Sequence, residues 1–277
     1  MIEMDISRRN FAKGVAAGAV ALGAASGLAA AKAQADEADA AADAAADAQT
    51  PRKIAVLIGA GQDTDLGNTS KLAAEFARGA TEAGHEVTSF LVGQMDIKPC
   101  LGCGHCRQSE ERTCVWDDDM AQIYDAYWNS DMLVFATPMR YWTMTGMLKN
   151  VIERFYRVPD GTDVTDLPHD RHETYRAIDT ALLVSSADTG WYTYNWLREW
   201  YHTLCNFMGW NDKGHLFVGG CGEYSWESSD GMMRQGSTKH IEDTGGLEAA
   251  YEMGLEIYGT VPAYQQLVEA SEWNMLK

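Results

Sequence analysis

From residue 53 onward, short apolar runs alternate with longer stretches of helical periodicity. Lys53–Gly59 (KIAVLIG) is a continuous apolar run rich in β-branched residues and closed by glycine, the pattern of a strand buried on both faces. Leu72, Ala73, Phe76, Ala77 and Ala80 then recur at helical spacing, which predicts a helix ending at Gly84. Further strands are predicted at His85–Val92, Asp131–Thr137, Ile178–Ser186 and Gly214–Gly220. Further helices are predicted at Met120–Asn129, Thr143–Tyr156, Asn195–Met208 and Gly246–Gly259, with a short one after Pro262. Five strands alternating with helices imply an α/β protein with one parallel sheet covered on both faces. Right-handed crossovers lead to a doubly wound five-stranded sheet in the order 2-1-3-4-5. Such sheets bind ligands at the carboxyl ends of their strands, so the loops after strands one, three, four and five are the places to search.

The first fifty residues do not follow this pattern. Ser7-Arg8-Arg9-Asn10-Phe11-Ala12-Lys13 precedes a weakly apolar stretch from Gly14 to Ala31, and Ala31-Lys32-Ala33, or alternatively Ala33-Gln34-Ala35, offers small residues at a cleavage point. This resembles a twin-arginine export signal covering residues 1–33. A retained membrane anchor is the alternative, although glycine dilutes the run and it is short for a span. Residues 34–50, mostly Ala and Asp, read as an acidic linker. The expected location is therefore extracytoplasmic, with residues 51–277 as one folded domain of roughly 225 residues, enough for a sizeable core.

Composition narrows the partners. The net charge of −18 argues against nucleic acid, which would require a basic face. Nine Trp and twelve Tyr supply core and also walls suited to a planar ligand.

The loop after strand one carries Gly59-Ala60-Gly61 and Gly67-Asn68-Thr69 ahead of a helix. Backbone N–H groups at a helix start, with nearby hydroxyls, make an anion site. The spacing fits neither the dinucleotide fingerprint nor the P-loop, so a single phosphate suits it best. A plain helix cap by Asn68 or Thr69 is the alternative.

After strand three comes Thr137-Pro138-Met139-Arg140-Tyr141-Trp142-Thr143-Met144-Thr145-Gly146-Met147-Leu148-Lys149. This string resembles the flavin loop of the NADPH-dependent FMN reductase-like family, which has a flavodoxin-like fold. Gly67-Asn68-Thr69 resembles that family's phosphate loop, and Asp117-Asp118-Asp119-Met120 its Asp-Asp-Met before the second helix. The resemblance implies FMN held by Gly59, Gly61, Gly67, Asn68, Thr69, Pro138, Met139, Arg140, Tyr141, Trp142 and Thr143, with Gly220 and Cys221 facing the ring from the loop after strand five. Two departures stand out. Ala60-Gly61 replaces the usual Ser-Pro, and Arg140 replaces the first aromatic after the proline. The Asp117–Asp119 run itself reads as a helix cap rather than an acid catalyst.

Between strand two and the next helix, residues 97–116 hold Cys100, Cys103, Cys106 and Cys114 in the pattern C-x2-C-x2-C-x7-C. Two-residue steps let consecutive thiolates face one soft metal centre. The motif, after Ile97-Lys98-Pro99, resembles that of the iron-sulfur flavoprotein branch, which implies a 4Fe-4S cluster. Zinc and disulfides are the alternatives, and Cys114 is the least secure ligand. Cys205 falls on the inner side of a helix. Gly190-Trp191-Tyr192-Thr193-Tyr194-Asn195-Trp196 either covers the flavin or caps the surface. His169 and His172 read as exposed loop residues.

The expectation is an exported FMN-dependent oxidoreductase. Its donor or acceptor would be a redox protein or a quinol, with a small-molecule substrate possible. The resemblance also implies a homo-oligomer, a dimer or tetramer. An electron carrier without substrate, and an NAD(P)H-dependent FMN or quinone reductase without a cluster, are the alternative readings. Cofactors carry such chemistry, so no side-chain acid or base is nominated.

Overall fold

A computed structural model describes residues 50–61, 67–109, 113–157, 176–188, 191–221, 225–227, 233–235, 241–259 and 264–268. The expected export signal, residues 34–49 of the linker, His169 and His172 lie outside the described residues. Among the described residues no helix is long and apolar enough to cross a membrane.

The chain runs β1 (Lys53–Ile58), α1 (Asn68–Glu82), β2 (Glu86–Leu91), a short α2 (His105–Gln108), α3 (Met120–Asn129), β3 (Met132–Pro138) and α4 (Gly146–Arg154). It continues through β4 (Asp179–Ser185), α5 (Trp191–Met208), β5 (Asn211–Val218), a small hairpin of β6 (Ser225–Glu227) and β7 (Met233–Gln235), α6 (Gly246–Glu256) and β8 (Tyr264–Val268). The sheet order is β2-β1-β3-β4-β5-β8, and every pairing in it is parallel. The expected order 2-1-3-4-5 is therefore present, extended by one strand.

That sixth strand corrects the short helix expected after Pro262. β5 would otherwise end the sheet with unpaired backbone groups from Gly214 to Val218. Tyr264–Val268 meets them in register, with Gly214 opposite Tyr264 and Val218 opposite Val268. A five-residue apolar-flanked run does not distinguish strand from helix by period alone. α5 also begins four residues earlier than expected, so the aromatic stretch after Gly190 forms its first turns rather than an insert.

Two apolar layers cover the sheet. Ala55, Leu57, Leu133, Phe135, Leu182 and Val184 point toward α3, α4 and α5. Ile54, Val56, Met132, Val134, Ala181 and Leu183 point toward α1 and α6. Adjacent strand residues thus fall into opposite layers, as a pleated sheet requires, and both layers are apolar because both faces are covered. α1 and α6 cross closely at two glycines. A Cβ on Gly79 would meet the Tyr251 carbonyl, and one on Gly254 would meet the Phe76 carbonyl.

Candidate functional site

The loops at the carboxyl ends of β1, β3, β4 and β5 enclose a cleft of about 1060 Å³. It lies at the point where the strand order reverses between β1 and β3. Its floor is polar and its outer wall aromatic.

The floor begins at α1. Gly67 caps this helix with extended backbone (φ −103°, ψ 121°) and, as a glycine, supplies no side-chain cap of its own. The first turn carries no acidic residue either. The helix therefore turns its positive dipole end toward the cleft, where Gly67, Asn68 and Thr69 line the space a phosphate would take. The alternative of capping by Asn68 or Thr69 is not what the structure contains. Thr69 is buried, and its Oγ1 lies 2.7 Å from Ser185 Oγ, joining the β1 and β4 loops beneath the cleft.

The β3 loop forms the wall. Arg140 and Thr143 close a tight bridge: the Arg140 N–H donates to the Thr143 carbonyl at 2.8 Å, and the Thr143 N–H donates back at 3.0 Å. Between them Tyr141 and Trp142 both have positive φ, 47° and 61°. Bulky residues rarely adopt that conformation, and it costs on the order of 1–3 kcal/mol at each residue. The turn holds Tyr141 out at 92% exposure and Trp142 at 52%. Two exposed aromatics on a strained turn at a cleft mouth are placed for a planar ligand rather than for the core. Thr145 anchors the loop from below. It caps α4 by accepting from the Leu148 N–H, and its hydroxyl donates to the Gly59 carbonyl at 2.8 Å.

Of the residues expected to hold FMN, Gly61, Gly67, Asn68, Thr69, Pro138, Met139, Arg140, Tyr141, Trp142 and Cys221 line the cleft. Gly59, Thr143 and Gly220 do not. Gly59 sits underneath, where a Cβ would approach Leu148 Cβ to 2.7 Å and Thr145 Oγ1 to 2.9 Å. Thr143 serves the bridge, and Gly220 supplies a left-handed turn (φ 74°) before Cys221. Ser185, Ser186 and Asp188 also line the cleft and were not anticipated, while Thr145 and Thr193 line it from the two strings singled out in the sequence. The Ser-Ser-Ala-Asp run after β4 carried the clue, since it follows a strand that ends at the cleft. Cys221 is buried and donates to the Ser186 and Val218 carbonyls. Burial pushes its thiol up to about 11, and Cys205 in α5 rises to about 11 for the same reason, so both are neutral packing groups at physiological pH.

The cysteine loop lies beside α4. Gly102 and Gly104 take left-handed conformations (φ 63° and 71°) that fold it tightly between Cys100 and Cys106. The Gly102 N–H approaches Cys100 Sγ at 3.5 Å. Burial raises the Cys106 thiol above its ordinary range. Cys114 pushes the same way, Arg107 opposes, and Cys100 and Cys103 add to the rise. All four sulfurs thus share one electrostatic neighbourhood, and none is in a disulfide. No three of them come within 4.8 Å of one another. A single zinc with bonds of about 2.3 Å would draw them to roughly 3.8 Å. The four-thiol donor set is of the kind that holds zinc or an iron-sulfur centre.

Both ends of this loop are clamped. Arg154 Nη1 donates to Asp118 Oδ2 at 2.8 Å and to the Lys98 carbonyl at 2.9 Å, and Nη2 donates to Asp118 Oδ1 at 3.0 Å. Asp118 also accepts from the Lys98 and Met120 amides. The acidic run before α3 is therefore structural, but as a loop clamp rather than the expected cap: Asp119, at the N-cap, makes no side-chain cap bond and accepts from the Asp96 amide, while Asp118 holds Arg154.

Residues 52–187, which build most of this cleft, match the model of the NADPH-dependent FMN reductase family. Iron-sulfur flavoproteins of Archaeoglobus fulgidus (31% identical over 94 residues) and Methanosarcina thermophila (30% over 87 residues) are similar to 34% and 31% of the chain. The chain spans less than half the length of these curated relatives, 42% and 44%. Among solved structures, an NAD(P)H:quinone oxidoreductase from Methanothermobacter marburgensis superposes with a TM-score of 0.51 at 14% identity, covering 75% of this chain and 98% of its own. An azoreductase from Bacillus anthracis gives 0.51 at 11% identity, covering 74% and 99%. At such identities these two establish the flavodoxin-like fold and nothing finer.

Proposed function

We propose that this chain is an exported FMN-dependent reductase whose cysteine loop carries a 4Fe-4S cluster. The observation that carries the flavin reading is the N-terminus of α1 facing a cleft walled by Tyr141 and Trp142. The α1 amides and Asn68 receive the phosphate, Ser185 and Thr69 brace that end, and the β3 loop presents its backbone and aromatic faces to the ring. FMN, when bound, takes up an electron pair and releases it singly or together.

The cluster reading rests on four thiols in one loop, the Gly102 N–H aimed at a sulfur, and the similarity to iron-sulfur flavoproteins. Cys100, Cys103, Cys106 and Cys114 would hold it, and a cluster there would supply one-electron transfer. A cleft of this size, open at its mouth, favours an enzyme that admits a substrate over a carrier with a flush ring edge. Export follows from residues 1–33. Nicotinamide nucleotides are scarce outside the cytoplasm, so the donor is a redox protein or a quinol, and the working form is a homodimer or homotetramer.

Anaerobic purification from the cytoplasm, with flavin and metal analysis, tests both parts. About one FMN and four irons per chain, with broad visible cluster absorbance, is the expected result. FMN without iron would remove the cluster and leave a simple flavin reductase. Protein that neither carries nor takes up FMN would overturn the reading.

A further inference from the structure

At the opposite end of the sheet from the cleft, α5 packs on the start of β5. There His202 of α5 meets Asp212 and His215 of β5. Each offers one ligand atom, and these atoms all lie within 4.8 Å of one another. The three come from two elements. Their convergence depends on how α5 sits on the strand, so no short sequence motif announces it.

The three side chains differ in what they already bond. His202 Nδ1 lies 2.7 Å from Asp212 Oδ2, and the other carboxylate oxygen, Oδ1, accepts from the Gly214 N–H at 2.8 Å. His215 is 5% exposed, and its Nδ1 has no hydrogen-bond partner. A buried imidazole nitrogen without a partner costs about 1–3 kcal/mol, so packing alone is a poor reason for histidine here. The ring packs edge-on against Phe217 (5.2 Å) and lies 5.7 Å from the His202 ring. A phenylalanine or leucine would fill the space without that cost.

We infer that His202, Asp212 and His215 form a binding site for a divalent transition cation of the zinc class, separate from the flavin cleft and from the cysteine loop. Two imidazoles and one carboxylate are a known first shell for zinc, leaving the fourth position to water. Bonds of 2.0–2.2 Å in a tetrahedron place ligand atoms roughly 3.3–3.6 Å apart, so the trio needs only a modest contraction at its widest edge and a slight opening between His202 and Asp212. The Gly214 amide already orients the carboxylate, as an outer-shell donor does at a metal site. His202 and Asp212 are 33% and 20% exposed, so a cation reaches the site from solvent while His215 closes it from within. On binding, the cation takes the place of a proton on His202 Nδ1 beside Asp212, and the neutral imidazole ligand carries its remaining proton on Nε2. The cation then ties α5 to β5, pinning the helix whose first turns border the cleft.

Cobalt(II) titration of the purified full chain, read by visible absorbance, separates this site from the thiols. Nitrogen and oxygen ligands give d–d bands without the sulfur-to-cobalt charge-transfer band that the cysteine loop would add. The chain is expected to bind one cobalt of the nitrogen–oxygen type, and saturating zinc is expected to raise its thermal midpoint by about 5 °C or more. His202→Ala, at a part-exposed position, and Asp212→Asn, which keeps the shape, are each expected to weaken that cobalt at least about tenfold and to abolish the zinc-dependent rise. Circular dichroism confirms that each variant is folded. No nitrogen–oxygen cobalt on the folded parent, or equal affinity in parent and both variants, would overturn the inference.

Discussion

Arg154 and Asp118 face each other as a two-pronged ion pair with side chains only 2% and 1% exposed. Through the Lys98 carbonyl and amide, the same pair grips the segment entering the cysteine loop, while Asp118 itself stands where the chain leaves it. Twenty residues of loop are thereby fastened at both ends to α4. Replacing Arg154 by Met strands a buried carboxylate, which costs about 3–5 kcal/mol. The denaturation midpoint of Arg154→Met is expected to fall accordingly, and its iron content with it. An unchanged midpoint would show the pair to be energetically idle.

The pair also sets a pH dependence. Burial pushes the Asp118 carboxyl up, but the Arg154 hydrogen bonds and the Lys98 and Met120 amides outweigh it and hold the group below the usual carboxylate range. The folded value lies below the unfolded one, near 3.9, so the stabilisation is fully present above about pH 4. It is lost as pH falls through the folded value. Thermal midpoints measured from pH 6 downward are expected to drop more steeply below pH 4 for the parent than for Asp118→Asn, which has no such proton to gain.

Gly59 and Gly61 flank one residue yet differ in what surrounds them. A Cβ on Gly59 meets Leu148 and Thr145, whereas one on Gly61 meets nothing within 4 Å. Gly59→Ala is expected to cost about 1–3 kcal/mol by overpacking the joint between the β1 and β3 loops. Gly61→Ala is expected to leave stability within about 0.5 kcal/mol. Chemical denaturation of the two variants side by side decides it.

The strained turn gives a stability–function contrast. Tyr141→Gly removes a bulky residue from positive φ and is expected to stabilise the flavin-free chain by about 1 kcal/mol. The same change removes an aromatic face from the cleft wall, so FMN affinity is expected to fall. A variant that loses stability, or binds FMN unchanged, would show that the turn is not held for the flavin.

The sheet was legible because KIAVLI and DMLVFAT can hardly be anything but buried strands, and the helices between them leave few ways to connect them. The cysteine loop and the aromatic string were legible because their chemistry is local. What escaped is what tertiary contact creates. Ser185 and Thr69 lie 116 residues apart and become neighbours only through the β1-β3-β4 register. His202 and His215 come together only through the seating of α5 on β5, which no sequence pattern states. β8 was misread because five residues carry too little period to separate strand from helix, and the open edge of β5 decided the matter. The positive φ at Tyr141 and Trp142 goes against residue preference, so no propensity rule would assign it.

The central claim is that the α1 end of the cleft receives the phosphate of FMN. Parallel titrations of the flavin-free chain with FMN and with riboflavin, followed by flavin fluorescence, test it most directly. The two ligands share the ring and differ in the phosphate. Charge-assisted bonds from the α1 amides are worth about 1.5–3 kcal/mol, so FMN is expected to bind at least about tenfold more tightly than riboflavin, with a gap that narrows at high salt. Equal affinity for both, or no binding of either, would contradict the account.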